Sequence, residues 1–383
     1  MHQKYLRELE LILQEREAAA PISIREVMKT LSDKPIVLYG AGAFGSENLA
    51  LFRKYGVNPV AFLDQKAEPG SLKEGIPVYH PDDAALSPAF RENCTIYISI
   101  TIPKRIMAAI KESLFEWGYS DCRVVQSVTA RQIQFEHNSD ENPGNDYVTM
   151  HKEQILHALT LMSDEESCKT YVSSIRAHLL RDYENCVETD FPVQYFNAGV
   201  PLKRGFSSFV DCGAYNGDSL KSILQYCDHL ETYVGFEPIV PNFSALSYEA
   251  DQLGTAVKRA YLFPCGVAEQ TGSARFTIAA SSSSMTDSGS GEVLPLVRID
   301  DVIKRVPVTF LKMDIEGAEL SALRGASTLI MTQAPDLAIS VYHYANHYWE
   351  IPCLIESMNS GYRFFLRAHT PATLETVLYC IEG

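Results

Sequence analysis

Phe209-Val210-Asp211-Cys212-Gly213-Ala214-Tyr215-Asn216-Gly217-Asp218 is the stretch that decides the fold of the larger part of this chain. A short apolar strand ends at Asp211, glycines make a turn in which no side chain blocks a ligand, and a helical run follows over 220–227. The next strand, over 233–237, ends in Gly235-Phe236-Glu237-Pro238, where a carboxylate can bind both hydroxyls of a ribose. A phosphate-binding turn is disfavoured, because Asp211 and Asp218 would repel a pyrophosphate. Two acidic groups bracketing the turn suit a cationic ligand that carries a ribose. S-adenosylmethionine has both a sulfonium and an ammonium.

Outward from this turn, apolar runs over 308–314 and 337–342 predict two further strands, and 362–366 with 376–381 a terminal antiparallel pair. Toward the N-terminus, 151–184 has the pattern of a helical connector. Residues 136–146 are polar, acidic and broken by Pro143-Gly144, the best linker in the chain. Before it, strands over 35–39, 59–63 and 94–102 alternate with helices over 46–54 and 105–117, the rhythm of a parallel sheet with crossover helices. The chain opens with an amphipathic helix carrying Leu6, Leu9 and Leu13 on one face, then a short helix over 24–31. The expected fold is therefore α/β: N-terminal helices (1–34), a Rossmann-like domain (35–135), linker and helical connector (136–204), and a second Rossmann-like domain (205–383). The two α/β units are not a sequence repeat.

Gly40-Ala41-Gly42-Ala43-Phe44-Gly45 fits GxGxxG after a strand and at the opening of a helix, and Asp64 follows at the tip of the second strand. Such a turn can hold a pyrophosphate at the helix N-terminus, with the carboxylate on ribose hydroxyls. A nucleotide sugar or NAD(P) would fit there. Equally, the glycines can serve packing alone. Segment 35–125 resembles the small Rossmann-like domain that precedes some sugar-modifying enzymes, including nucleotide-sugar acetyltransferases. Their hexapeptide repeats are absent, so acetyl transfer is not implied.

Composition narrows the partners. The 383 residues carry 33 Lys+Arg against 48 Asp+Glu, a net charge of −15, with no basic cluster, so gripping nucleic acid or an anionic membrane is disfavoured. No run of 18 apolar residues spans a membrane, and Glu8 and Glu10 break the apolar region that a signal peptide would need. Nine scattered cysteines without a CxxC pair suit reduced thiols in a cytoplasmic protein, and no zinc site is indicated. A homodimer through the first helix is left open.

Six ordered blocks carry a family resemblance: VDCGAYNGDS (210–219), GFEP (235–238), CGVAEQTG (265–272), VRIDDVI (297–303), FLKMDIEGAELSALRGA (310–326) and ETVLYCI (375–381). Residues 205–383 resemble the FkbM-type S-adenosylmethionine-dependent methyltransferases. The resemblance implies a class I methyltransferase sheet, consistent with the terminal antiparallel pair. It implies that Asp211, Gly213, Ala214, Tyr215, Asn216, Gly217 and Asp218 line the methionine end of the cofactor. Glu237 and Pro238 would serve the ribose, Gly266, Val267 and Ala268 the adenine, and Asp314 would stand beside the transferring methyl. Ser284-Met285 matches a Ser-Met step that the family places in a loop over the substrate. Leu366-Arg367-Ala368-His369 departs from the family's Leu-Arg-His-Tyr, which leaves a substrate role for Arg367 and His369 open.

Methyl transfer to a sugar hydroxyl of a glycan precursor or secondary metabolite is the expected activity. Such a hydroxyl must lose its proton as the bond forms, so a base helps. Asp314, Glu316, Glu319 and His343 are the candidates, with His343 favoured as base, Asp314 orienting, and Glu319 opening the following helix. His343 and His347 have the spacing of a zinc helix but lack its Glu. A divalent ion at Asp314, Glu316 and His343 is left open. Two rival readings stand beside this one: an NAD(P)-dependent oxidoreductase built on 40–45 and Asp64, and a scaffold without turnover.

Overall fold

The computed structural model describes the chain apart from residues 20–23, 32–33, 101, 103, 130–144, 188–193, 197–198, 279–282, 286–290 and 371. The linker expected over 136–146 lies outside the described residues except for its last two, which open the helix Asn145–Leu161.

Two α/β units follow one another, as the alternation predicts. In the first, strands run in the order Leu72–Lys73, Ile76–Tyr79, Ala61–Leu63, Ile36–Tyr39, Thr95–Ile98, Cys122–Val124, all parallel except the short edge strand Leu72–Lys73. The strand expected over 94–102 pairs only across Thr95–Ile98. The helix expected from 46 begins earlier, at Ala43, as soon as the chain leaves Gly42.

The second unit contains a seven-stranded sheet built from Ser208–Cys212 (β1), Thr232–Phe236 (β2), Ala260–Phe263 (β3), Phe310–Met313 (β4), Asp336–Ser340 (β5), Tyr362–Ala368 (β6) and Thr376–Glu382 (β7). Their order is β6-β7-β5-β4-β1-β2-β3, with β7 antiparallel to both neighbours. Strand order reverses beside β1, which makes the crevice at the strand ends the natural ligand site of such a sheet. The register of β4 against β1 sets Met313 opposite Cys212, so Asp314 and Gly213 leave the sheet side by side. A second, four-stranded sheet (Gly266–Val267, Gly272–Ile278, Ser283–Met285, Glu292–Val297) is inserted between β3 and β4. Apolar periodicity did not disclose it.

The helical connector divides at Asp164 into Asn145–Leu161 and Glu165–Leu180. Asp164 caps the second helix, accepting a hydrogen bond from the Ser167 amide at 2.8 Å. Both helices, with His2–Ala18, cover one face of the seven-stranded sheet. Leu9, Ile12 and Leu13 are fully buried in one cluster with Ile155, Leu159, Tyr171, Phe364 and Leu366. Each such side chain contributes roughly 1.5–3 kcal/mol on burial. The apolar stripe that the sequence offers for dimerisation is thus buried inside its own chain. Among the described residues, no helix is long and apolar enough to cross a membrane.

Candidate active site

A cavity of about 580 Å³ opens at the C-terminal ends of β1, β2 and β4. The glycine turn forms its floor. Gly213 is left-handed (φ +80°), and a Cβ there would come within 1.9 Å of the Asp314 carbonyl oxygen, so only glycine lets the two loops touch. Gly213, Tyr215 and Asp218 line the cavity, whereas Asn216 is exposed, Gly217 caps the helix Asp218–Ile223, and Ala214 is buried beneath. Glu237 reaches the cavity from the tip of β2. Its Oε2 accepts from the Tyr215 amide at 3.0 Å and its Oε1 from the Ile239 amide at 2.9 Å, which fixes the carboxylate in place. Burial pushes its pKa above the ordinary value. Pro238, Gly266 and Val267 line the wall with Phe236, Phe276 and Leu296, a flat apolar slot beside Glu237. Ala268 is buried behind that wall, its carbonyl packed where a Cβ on Gly325 would sit.

Asp211 takes a different position from the one the resemblance implies. It is fully buried under the turn, 3.0 Å from Lys312 Nζ, and accepts from the Tyr233 hydroxyl at 3.2 Å. Lys312 also donates to the Gly213 carbonyl at 2.7 Å, so this ion pair props up the glycine turn from below. Burial opposes the charge on Lys312, but Asp211 and Asp314 outweigh it and hold its pKa above the ordinary lysine value. Sequence reasoning missed Lys312, although a lysine inside the apolar run of β4 is itself a signal.

The far end of the cavity is acidic. Asp314, Glu316 and Glu375 all line it. Asp314 accepts from the Tyr195 hydroxyl at 2.7 Å, and Glu375 from Gln194 Nε2. Burial raises the Glu316 carboxyl to about 7; His343 opposes the shift, while Asp314, Glu319 and Glu375 add to it. Glu375 is likewise raised to about 7, by burial and then by Asp314. Glu316 is also left-handed (φ +57°), an uncommon conformation for a non-glycine residue, of the kind that gathers at functional sites.

His343 stands behind these carboxylates. Its Nδ1 lies 3.1 Å from Glu319, and its Nε2 3.5 Å from Asp314 and 3.7 Å from Glu316. Burial alone would lower its pKa, but Glu319, Asp314 and Glu316 together raise it to about 10. That upward shift favours the protonated ring and so weighs against the expected role of His343 as base. Glu319 opens the helix Glu319–Gly325 as expected, yet it is fully buried and faces inward. It accepts from the Ile315 amide, and burial's upward push on it is overcome by His343, His347 and that amide, leaving its pKa at about 2. Asp314, Glu319 and His343 offer donor atoms within 4.8 Å of one another, a spacing that one cation can bridge. Both ring nitrogens of His343 face carboxylates, Nδ1 toward Glu319 and Nε2 toward Asp314 and Glu316. His347 is held neutral instead, lowered to about 4 by burial.

The remaining expected residues are dispersed. Arg367 is buried and paired with Asp164 at 2.6 Å, so it docks the connector and does not face the cavity. His369 contacts the Tyr379 hydroxyl at 3.0 Å. Ser284 and Met285 lie on Ser283–Met285, paired with Gly272–Ile278; most of the serine-rich loop around them is outside the described residues. In the first unit, both oxygens of Asp64 are engaged by amides, one from Ala41 in the glycine turn at 3.0 Å and one from Lys66 in its own turn at 2.9 Å. Gly40 is left-handed, and Ala43 and Phe44 begin the helix. A Cβ on Gly45 would meet the Gly40 carbonyl oxygen at 2.0 Å, whereas one on Gly42 meets nothing within 4 Å. Gly45→Ala is accordingly expected to destabilise the protein by about 1–3 kcal/mol, and Gly42→Ala to leave the unfolding midpoint unchanged. Equal midpoints in thermal denaturation would contradict this.

Residues 211–370 match the family model described as the methyltransferase FkbM domain. The crystal structure of methyltransferase FkbM from Methylobacillus flagellatus KT superimposes with a TM-score of 0.69 at 23% identity, covering 99% of this chain and 98% of that one. At that identity the likeness concerns the fold, and it extends through both α/β units. A Clostridium thermocellum structure described as an rRNA-methylase gives a TM-score of 0.32 at 13% identity, covering 47% of this chain and 88% of that one. No curated protein sequence matches the chain. The crevice at the strand reversal, Glu237 beside its apolar slot, and Asp314 and Glu316 of the acidic end thus lie within the stretch 211–370 that matches the methyltransferase FkbM domain, and Glu375 lies just beyond it.

Proposed function

We propose that the protein is an S-adenosylmethionine-dependent O-methyltransferase acting on a sugar-type hydroxyl. The observation that carries this reading is the polarity of one cavity: a carboxylate fixed by two amides beside an apolar slot at one end, and three carboxylates at the other. Glu237 suits ribose hydroxyls, the slot of Phe236, Phe276 and Leu296 suits a flat base, and the acidic end suits positive charge. S-adenosylmethionine, when bound, supplies an electrophilic methyl group on a cationic sulfur.

The chain's own part is positioning and proton removal. Asp314, held by Tyr195, orients groups at the acidic end, and Glu316 takes the acceptor proton. A carboxyl near 7 is matched to that task, being ionised often enough at neutral pH and still basic enough to accept. His343 keeps Glu316 and Asp314 in place as their shared counter-charge. The same carboxylates repel phosphate, so the hydroxyl entering the cavity belongs to an uncharged part of the acceptor.

Calorimetric titration with S-adenosylhomocysteine tests the cofactor. The protein is expected to bind it, and Glu237→Ala to weaken binding roughly 10- to 150-fold, the effect of losing hydrogen bonds to a charged group. Asp211→Ala is a poor probe, because it strips Lys312 of its buried partner. Absence of binding by the folded protein would overturn the reading.

A further inference from the structure

Ala372 lies in the loop between β6 and β7, left-handed (φ +59°) and 3% exposed. It belongs to one buried apolar cluster that joins Ala177 and Tyr183 of the connector to Tyr39, Leu63 and Ile98 of the N-terminal unit. Three residues later the same loop delivers Glu375, also left-handed (φ +51°), to the wall of the methyl-transfer cavity. The stretch between them is tied tightly. Thr373 is left-handed and buried, and its carbonyl accepts from the Tyr348 hydroxyl at 3.2 Å and from Thr376 Oγ1 at 2.7 Å. The His369 amide donates to the Glu375 carbonyl at 3.2 Å, closing the loop on itself. Three left-handed non-glycine residues in four positions persist only where the surroundings over-determine them. Here those surroundings include the apolar cluster shared with the other α/β unit.

We propose that the N-terminal α/β unit is a positioning domain for the methyl-transfer cavity: by holding Ala372 it sets the loop that presents Glu375 to the cationic ligand. The inference rests on the cofactor reading above and gives the N-terminal unit a role that needs no nucleotide of its own. Glu375 faces Asp314, Glu316 and Lys312, from β4 and the turn after it, together with Gln194 and His343. Its carboxyl, once ionised, favours a sulfonium over the neutral sulfur of the product.

The test compares affinities of the full chain for S-adenosylmethionine and S-adenosylhomocysteine at pH 6 and pH 8.5. In the parent protein the preference for the cation grows with pH, by about tenfold for a unit charge acting across the cavity. Glu375→Gln removes Glu375's share of this growth, while Glu316, raised to about 7 as well, supplies the remainder. Ala372→Asp, which puts a charge into the N-terminal core, is expected to remove the same part, and Ala372→Ser to retain it. In the Glu375→Gln background Ala372→Asp adds nothing further. Should Ala372→Asp fail to fold, Ala372→Val, a β-branched residue that the left-handed backbone disfavours, displaces the loop without a charge, and its preference should also fall toward that of Glu375→Gln. An unchanged pH-dependent preference in a folded Ala372 variant other than Ser, or a full additional loss in the Glu375→Gln background, overturns the inference while leaving the cofactor reading standing. No binding of either compound by the parent protein removes both.

Discussion

Glu316→Gln is expected to slow methyl transfer by about 10²–10⁴-fold, the contribution of a positioned general base. Affinity for S-adenosylhomocysteine should change little, because Glu237 and the apolar slot are untouched. The pH dependence gives the sharper signature. Glu316 must be ionised to accept a proton, and its pKa is raised to about 7, so the parent rate climbs as pH rises through 7. In the Gln variant that limb disappears. His343 titrates near 10, so a role for it as base would place the climb about three units higher. A rate profile that rises only above pH 9, with Glu316→Gln near parental activity, would return the proton to His343.

Lys312→Met should cost about 3–5 kcal/mol of stability, because it leaves Asp211 as an unpaired buried carboxylate. Asp211→Asn should cost a similar amount by leaving Lys312 alone. The double variant should lose less than the sum, since neither charge remains to be stranded. Urea denaturation of the four proteins measures this directly, and additive losses would contradict the pairing. The same substitutions should weaken cofactor binding, because Lys312 holds the Gly213 carbonyl from below. That loss is indirect and should shrink when binding is measured on the best-folded fraction at low temperature.

The turn after Asp211, the carboxylate of Glu237 and the acidic end of β4 were legible because each is tied to a strand end, and strand ends follow from short apolar runs. What surrounds them was not. Glu375 stands in a block visible in the sequence, yet its direction depends on a left-handed loop tied down by Tyr348 and Thr376. Gln194 and Tyr195 lie in a segment without periodicity, and only tertiary folding brings them to Glu375 and Asp314. His343, expected at the end of a strand, lies in the bend that follows β5, which stops at Ser340. The upward push on its pKa comes first from Glu319, whose inward turn at the start of a helix no local pattern reports. The amphipathic face of His2–Ala18 was visible, but its partner, more than a hundred residues away, was not.

That first helix makes the architecture one of insertion. Its side chains complete the hydrophobic core of a unit whose strands begin only at Ser208, and Tyr5 donates to Glu165 at 2.9 Å. The Rossmann-like sheet from Ile36 to Val124 is thus a guest threaded between two pieces of its host. As the chain leaves the ribosome, the guest can close early, since all its strands are close in sequence. The host's opening helix must meanwhile wait, its apolar stripe exposed, until its partners Asn145–Leu161 and Glu165–Leu180 follow the guest, and the three-helix layer must wait in turn for the sheet it covers. Synthesis order and folding order therefore run against each other at the first residues of the chain, and a fragment cut at the apparent domain boundary would leave one face of the methyltransferase sheet bare.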